Sequence, residues 1–202
     1  MQPLNKIILS RIYGHRRSWV FTPKHFADLA DPNVVSAVLS NLQKKGTIRR
    51  VVHGLYDYPK SHPKLGLLSP SVGDVIEALR VREGTSFQAA GAYAANILGL
   101  SEQVPAKVVF YTNGKSRKIQ IGRLTIELKK KSERNVRLAG TLSGLIVEAL
   151  RHLGAQNIKD LHITKISKKL PEKEKKRLKS HLGYAPIWMH PYLLRIIGES
   201  KQ

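Results

Sequence analysis

Apolar residues fall into two kinds of spacing along the chain, helical over most of it and strand-like in two stretches, one before residue 60 and one between about residues 106 and 129. Leu4, Ile7, Ile8 and Ile12 recur at helical intervals before Gly14 and predict a first helix. Thr22 followed by Pro23 is a helix start, with Phe26 and Leu29 three apart on one face. Asp31 and Pro32 repeat that start, so a second helix is expected from about Pro32 to Lys45, stopped by Gly46. Its stripe is Val35, Val38, Leu39 and Leu42. Asn33, Ala37, Ser40 and Lys44 fall opposite, with Asn41 at the flank. A β-rich run, Thr47 to Val52, then meets a two-residue turn, His53-Gly54, and a return strand, Leu55 to Tyr58. Trp19-Val20-Phe21 can supply a third strand. Two helices at a tight turn followed by a basic hairpin predict a winged helix-turn-helix over residues 1–60.

Residues 61–70, with Pro63, Gly66 and Pro70, read as a linker or an extended strap between domains. The remainder, 71–202, is expected to be an α+β domain in which an antiparallel β-meander packs on helices. A helix runs from Ser71 to about Arg82, where Ser71 and Asp74 form a capping-box-like start. An alanine-rich helix is predicted from about Phe87 to Leu98, its small side chains allowing another backbone close. Strands follow over Ala106–Thr112 and Arg117–Ile121, with Asn113-Gly114 as turn between them. In the third strand Leu124, Ile126 and Leu128 alternate with Thr125, Glu127 and Lys129. The last third predicts helices from Thr141 or Ser143 to Leu153, over Ile158–Leu170, from Pro171 to about Leu182, and over Pro186–Ile197.

Charge narrows the function. The formal net charge is +21 over 202 residues, which favours a polyanionic partner, nucleic acid before an anionic membrane. The excess is spread: 10 basic against 3 acidic residues in 1–62, 11 against 5 in 63–132, and 14 against 6 in 133–202. There is no cysteine, which excludes disulfides and cysteine chemistry. No stretch approaches the ~18 apolar residues of a membrane span, and a cytoplasmic location is expected. The eight histidines show no i, i+4 pair, and neither a metal-binding acidic motif nor a nucleophile elbow occurs. No enzyme activity, metal or cofactor is expected.

In a winged helix the second helix enters the major groove, where Asn bonds adenine edges and Lys guanine edges. Asn33, Ser36, Ser40 and Lys44, with Asn41 and Lys45 beside them, are the expected base-facing residues. Arg49, Arg50 and His53 on the hairpin are expected to meet phosphates or the minor groove, and Arg16 and Arg17 lie where backbone phosphates would pass, or are simply solvated. The lysine-rich helix after Pro171 is either a solvated face or a second contact surface.

The run from Gln43 to Arg50 and the run from Gly54 to Pro59 resemble the N-terminal winged-helix segment of AbiEi-like antitoxins. The likeness continues through Gly66–Pro70, Gly91–Ser101, Gln103–Lys107 and Tyr111–Gly114, and covers about residues 5 to 155. It implies the antitoxin of a type IV toxin–antitoxin pair. Such a protein represses its own promoter by binding inverted repeats in double-stranded DNA. Its C-terminal domain opposes a nucleotidyltransferase toxin, either directly or only through the toxin's effect. The residues alone leave three other classes open: an RNA-binding or ribosome-associated protein, an enzyme acting on nucleotides or on the toxin, and a ligand-responsive winged-helix transcription factor.

Overall fold

The structure is a computed structural model that describes residues 3–103 and 105–199. Val104, within one of the runs quoted above, lies outside the described residues. The chain is α+β and divides into two compact units, Met1–Thr85 with Ile119–Arg123, and Ser86–Lys118 with Leu124–Gln202. The first unit therefore continues well beyond residue 60.

The first unit contains α1 (Leu4–Gly14), β1 (Val20–Phe21), a 3₁₀ turn (Pro23–Phe26), α2 (Pro32–Lys44), β2 (Arg49–Val52), β3 (Leu55–Asp57), β4 (Ser61–His62), β5 (Gly66–Leu67) and α3 (Val72–Glu83). Its three-stranded sheet has the order β1-β3-β2, all antiparallel, with Phe21 opposite Tyr56 and Arg50 opposite Tyr56 on the other side. The expected third strand is thus present. Ile8 and Ile12 of α1, Val35, Leu39 and Leu42 of α2, and Phe21, Phe26, Ile48 and Tyr56 form one buried cluster. Phe21 and Phe26 meet edge to face at 5.7 Å, a favoured aromatic geometry.

Two expectations are corrected here. The segment after Thr22 is a single 3₁₀ turn and not a full helix. Asp31-Pro32 restarts the chain too soon, and Thr22 N–H donates to His25 Nδ1 at 3.1 Å, which closes a one-turn cap. Residues 61–70 are not a bare linker. They fold as the β4–β5 hairpin, and Leu68 N–H donates to Lys60 O at 2.8 Å. The cap of α3 forms as expected: Ser71 Oγ accepts from Asp74 N–H, and Gly84 closes the helix at φ +65°.

The second unit contains β6 (Phe87–Ala90), α4 (Gly91–Ile97), β7 (Lys107–Thr112), the start of β8 (Arg117–Ile121, whose residues from Ile119 on fall in the first unit), β9 (Leu124–Lys130), α5 (Glu133–Val136), α6 (Leu142–Leu153), α7 (Asp160–Lys169), α8 (Glu172–Ser180) and α9 (His190–Ile197). The expected Phe87–Leu98 helix is half strand. Phe87 to Ala90 are all buried and pair with β7, Phe87 opposite Thr112 and Ala90 opposite Val109. Gly91, at φ +61°, then turns the chain into the helix. Alanine tolerates either state, and pairing decides it. The expected close approach does occur, with Ala94 and Ala95 of α4 packed on Ala149 of α6.

The sheet is mixed and not an antiparallel meander. Its order is β6-β7-β9-β8, and β7 runs parallel to β9, Lys107 opposite Thr125 and Thr112 opposite Lys130. Asn113-Gly114 turns the chain without joining neighbouring strands. The Asn113 side chain instead accepts a hydrogen bond from Ser86 N–H at 3.0 Å. A second buried cluster joins Ile146 and Leu150 of α6 to Ile163 and Ile166 of α7, Leu178 of α8, and Leu193 and Ile196 of α9.

Candidate nucleic-acid interface

The site is built on α2 and the β2–β3 hairpin. Asp31 Oδ1 accepts from Asn33 N–H at 2.8 Å, and Pro32 occupies the first helical position, where its missing N–H has no cost. At the other end Gly46, at φ +72°, reverses the backbone, and Thr47 N–H donates to Leu42 O at 3.1 Å. This turn sends the chain directly into β2. Val35, Leu39 and Leu42 are buried, so the helix has one fixed face and the opposite one is open.

On that open side Asn33, Asn41, Lys44 and Lys45 are exposed. Ser36 and Ser40 are half-buried, and the Ser36 hydroxyl donates to Pro32 O at 2.7 Å. Its oxygen keeps a free direction to accept from a donor on a base. Val34, 48% exposed and two helical turns before Asn41 on the same face, was not among the expected contact residues. A polarity-based reading assigns every Val to the core, and only its place on the helix, away from Val35 and Leu39, could have singled it out.

The hairpin separates its two arginines. Arg50 is exposed, with its guanidinium 5.6 Å over the Tyr56 ring and 3.3 Å from the Tyr56 hydroxyl. Arg49 is committed to the fold. Nε donates to Asp57 Oδ1 at 3.0 Å, and Nη2 donates to Asp57 Oδ2 at 2.5 Å and to Leu68 O at 2.7 Å. Asp57 is 1% exposed, so this is a buried carboxylate held by a bidentate guanidinium. His53 is exposed at the hairpin tip, and its carbonyl accepts from Arg82 Nη1 at 3.1 Å.

Arg16 and Arg17 are both exposed. Arg16 reaches Asp74 at 3.1 Å. Arg17 lies 4.1 Å over the Tyr58 ring and donates to Pro59 O. A shallow groove of about 450 Å³ brings Arg17 and Lys45 together between Tyr13, Tyr58 and Thr47. Two cations far apart in sequence therefore share one concave surface. Behind the helix, burial holds the His25 imidazole below its ordinary range, which keeps Nδ1 available to Thr22.

Among the described residues, no group of three His, Cys, Asp or Glu side chains could hold a metal ion. Among them, too, no helix is long and apolar enough to cross a membrane.

The model of a family described as a family of unknown function, DUF6088, matches residues 7–178. No curated protein matches the chain. Among solved structures, the crystal structure of the RV2827C protein from Mycobacterium tuberculosis is similar with a TM-score of 0.44 at 14% sequence identity, over 98% of this chain and 82% of that one.

Proposed function

The chain belongs to the DUF6088 family, and we propose that it is a winged-helix repressor that binds double-stranded DNA at its own promoter and serves as the antitoxin of a type IV pair. The observation that carries the reading is the build of α2. One face is locked into the core by Val35, Leu39 and Leu42, the other offers Asn33, Asn41, Lys44 and Lys45, and the short link from Lys45 to Ile48 leads into a hairpin bearing exposed Arg50 and His53. A helix locked on one side can hold its polar groups at a fixed height in the major groove. Asn33 and Asn41 then bond adenine edges, Lys44 and Lys45 bond guanine edges or phosphates, and Val34 meets a thymine methyl. Arg50 and His53 take the flanking phosphates, and Arg17 with Lys45 cradles the backbone at the groove beside Tyr58. Arg49 holds the hairpin and makes no contact with DNA.

The antitoxin half of the proposal rests on the resemblance of about residues 5 to 155 to AbiEi-like antitoxins. It assigns the second unit to opposing a nucleotidyltransferase toxin in the cytoplasm, with or without a stable complex. A promoter–reporter strain tests the first half. Wild-type protein should repress its own upstream region, and Asn41→Ala with Lys44→Ala should relieve repression at unchanged protein level. Equal repression by wild type and by the double variant would refute the assignment of α2. Co-expression with a neighbouring nucleotidyltransferase tests the second half, the expected outcome being restored growth.

A further inference from the structure

The second unit holds the larger cavity, about 880 Å³, lined by β6, the end of β7, α5, α6 and the turn at Tyr184. That is the size of a site for a small organic ligand, roughly 300–1,000 Å³. Lys131, Arg134, Arg137 and Arg151 line it, against a single lining carboxylate, Glu148. Glu148 is 7% exposed, and its Oε1 lies 3.4 Å from Arg151 Nε. Among the described residues no carboxylate pairs with Arg134 or Arg137. Two tyrosines form walls. The Lys131 ammonium sits 5.0 Å over the Tyr111 ring and the Arg137 guanidinium 5.3 Å over Tyr184.

The inner end of the cavity is built differently. Gln88 is 4% exposed, and its Nε2 donates to Ala89 O at 3.0 Å. Its Oε1 is buried with no hydrogen-bond donor. Gly144 gives that oxygen its room, since a Cβ there would collide with both Gln88 Oε1 and Leu138 O. A buried carbonyl without a donor is costly, and such groups occur where a ligand completes them. The cavity thus asks for two things at once: anionic oxygens for the outer cations, and an N–H donor for Gln88 and Glu148. Inorganic phosphate supplies only the first. A nucleobase with its ribose and phosphates supplies both, and its planar ring has an exposed partner in Tyr184.

We propose that this cavity is a nucleoside-phosphate site, with the phosphates on Arg134, Arg137 and Lys131 and the base edge toward Gln88 and Glu148. The site lies within the second unit and does not depend on the DNA-binding reading. Binding would give that unit a small-molecule input.

The test is isothermal titration of the full chain with each of the common nucleoside triphosphates and with inorganic triphosphate, at ~0.15 M salt to suppress diffuse attraction by a +21 protein. At least one nucleotide should bind saturably and about tenfold or more tighter than inorganic triphosphate. Arg134→Ala with Arg137→Ala, and separately Tyr184→Ala, should each weaken that binding about tenfold or more, whereas Lys173→Ala on α8 should not. All four positions are exposed, and circular dichroism will establish that the variants fold. Three results would each overturn the proposal: no nucleotide binding up to about 1 mM, inorganic triphosphate binding as tightly as any nucleotide, or cavity variants that bind like wild type.

Discussion

Replacing Arg49 with alanine separates a structural arginine from Arg50, the hairpin arginine proposed to contact DNA. The substitution removes three hydrogen bonds, two to the Asp57 carboxylate and one to Leu68 O. It leaves Asp57, 1% exposed, with a buried charge and no cation. Breaking a fully buried pair from one side costs ~3–5 kcal/mol. The Arg49 side chain is 30% exposed, so water can enter the gap and recover part of that loss. About 2–3 kcal/mol is therefore expected, or ~5–10 °C in Tm for a chain of this length. Differential scanning fluorimetry and urea titration will measure it. Adding Asp57→Asn to Arg49→Ala removes the stranded charge and should return about 1–2 kcal/mol of the loss. On DNA, the folded Arg49→Ala protein should keep the wild-type salt slope, and Arg50→Ala should lower it by about 1. Arg49→Ala within ~0.5 kcal/mol of wild type, or a lowered salt slope, would refute the structural role.

Other substitutions probe the packing and the caps. Gly144→Ala forces its Cβ against Gln88 and the Leu138 carbonyl, and should destabilise by about 2–3 kcal/mol in chemical denaturation. Leu39→Ala opens a cavity behind the outward face of α2 and should cost ~2–5 kcal/mol, with DNA binding lost in step with unfolding. Gly46→Ala places a Cβ at φ +72° and should cost ~1 kcal/mol. His25 is held neutral by burial, below its ordinary value. Unfolding lets it take up a proton, so its contribution to stability is full above pH ~6.5 and falls as the pH drops below that. His25→Gln keeps a cap and should flatten that fall below pH ~6.5; an identical slope in both proteins would argue against it.

Much of the first unit is legible because its signals are local. The Asp31-Pro32 start and Gly46 stop bracket α2 within a residue, and the alternation around His53-Gly54 marks the hairpin. What local pattern cannot show is pairing with distant residues. Phe87–Ala90 carries no strand signature of its own and becomes β6 only because β7 lies beside it. The interposition of β9 between β7 and β8 likewise depends on partners outside any short window. The same holds at the candidate site. Asn33, Asn41, Lys44 and Lys45 fall on the exposed side as helical spacing predicts. Arg49 reads in sequence as the twin of Arg50, and nothing local reveals that Asp57 and Leu68 claim its guanidinium. The cavity with Gln88 at its inner end gathers residues from five segments, none of which stands out alone.

The most direct measurement is a fluorescence-anisotropy titration of the purified protein against its own upstream duplex, a scrambled duplex and a structured RNA, each at several salt concentrations. The account predicts tightest binding to the upstream duplex, a preference that persists at ~0.15 M salt and that Asn41→Ala and Lys44→Ala each reduce by ~1–3 kcal/mol. Equal, steeply salt-dependent binding to all three targets, untouched by those substitutions, would contradict it.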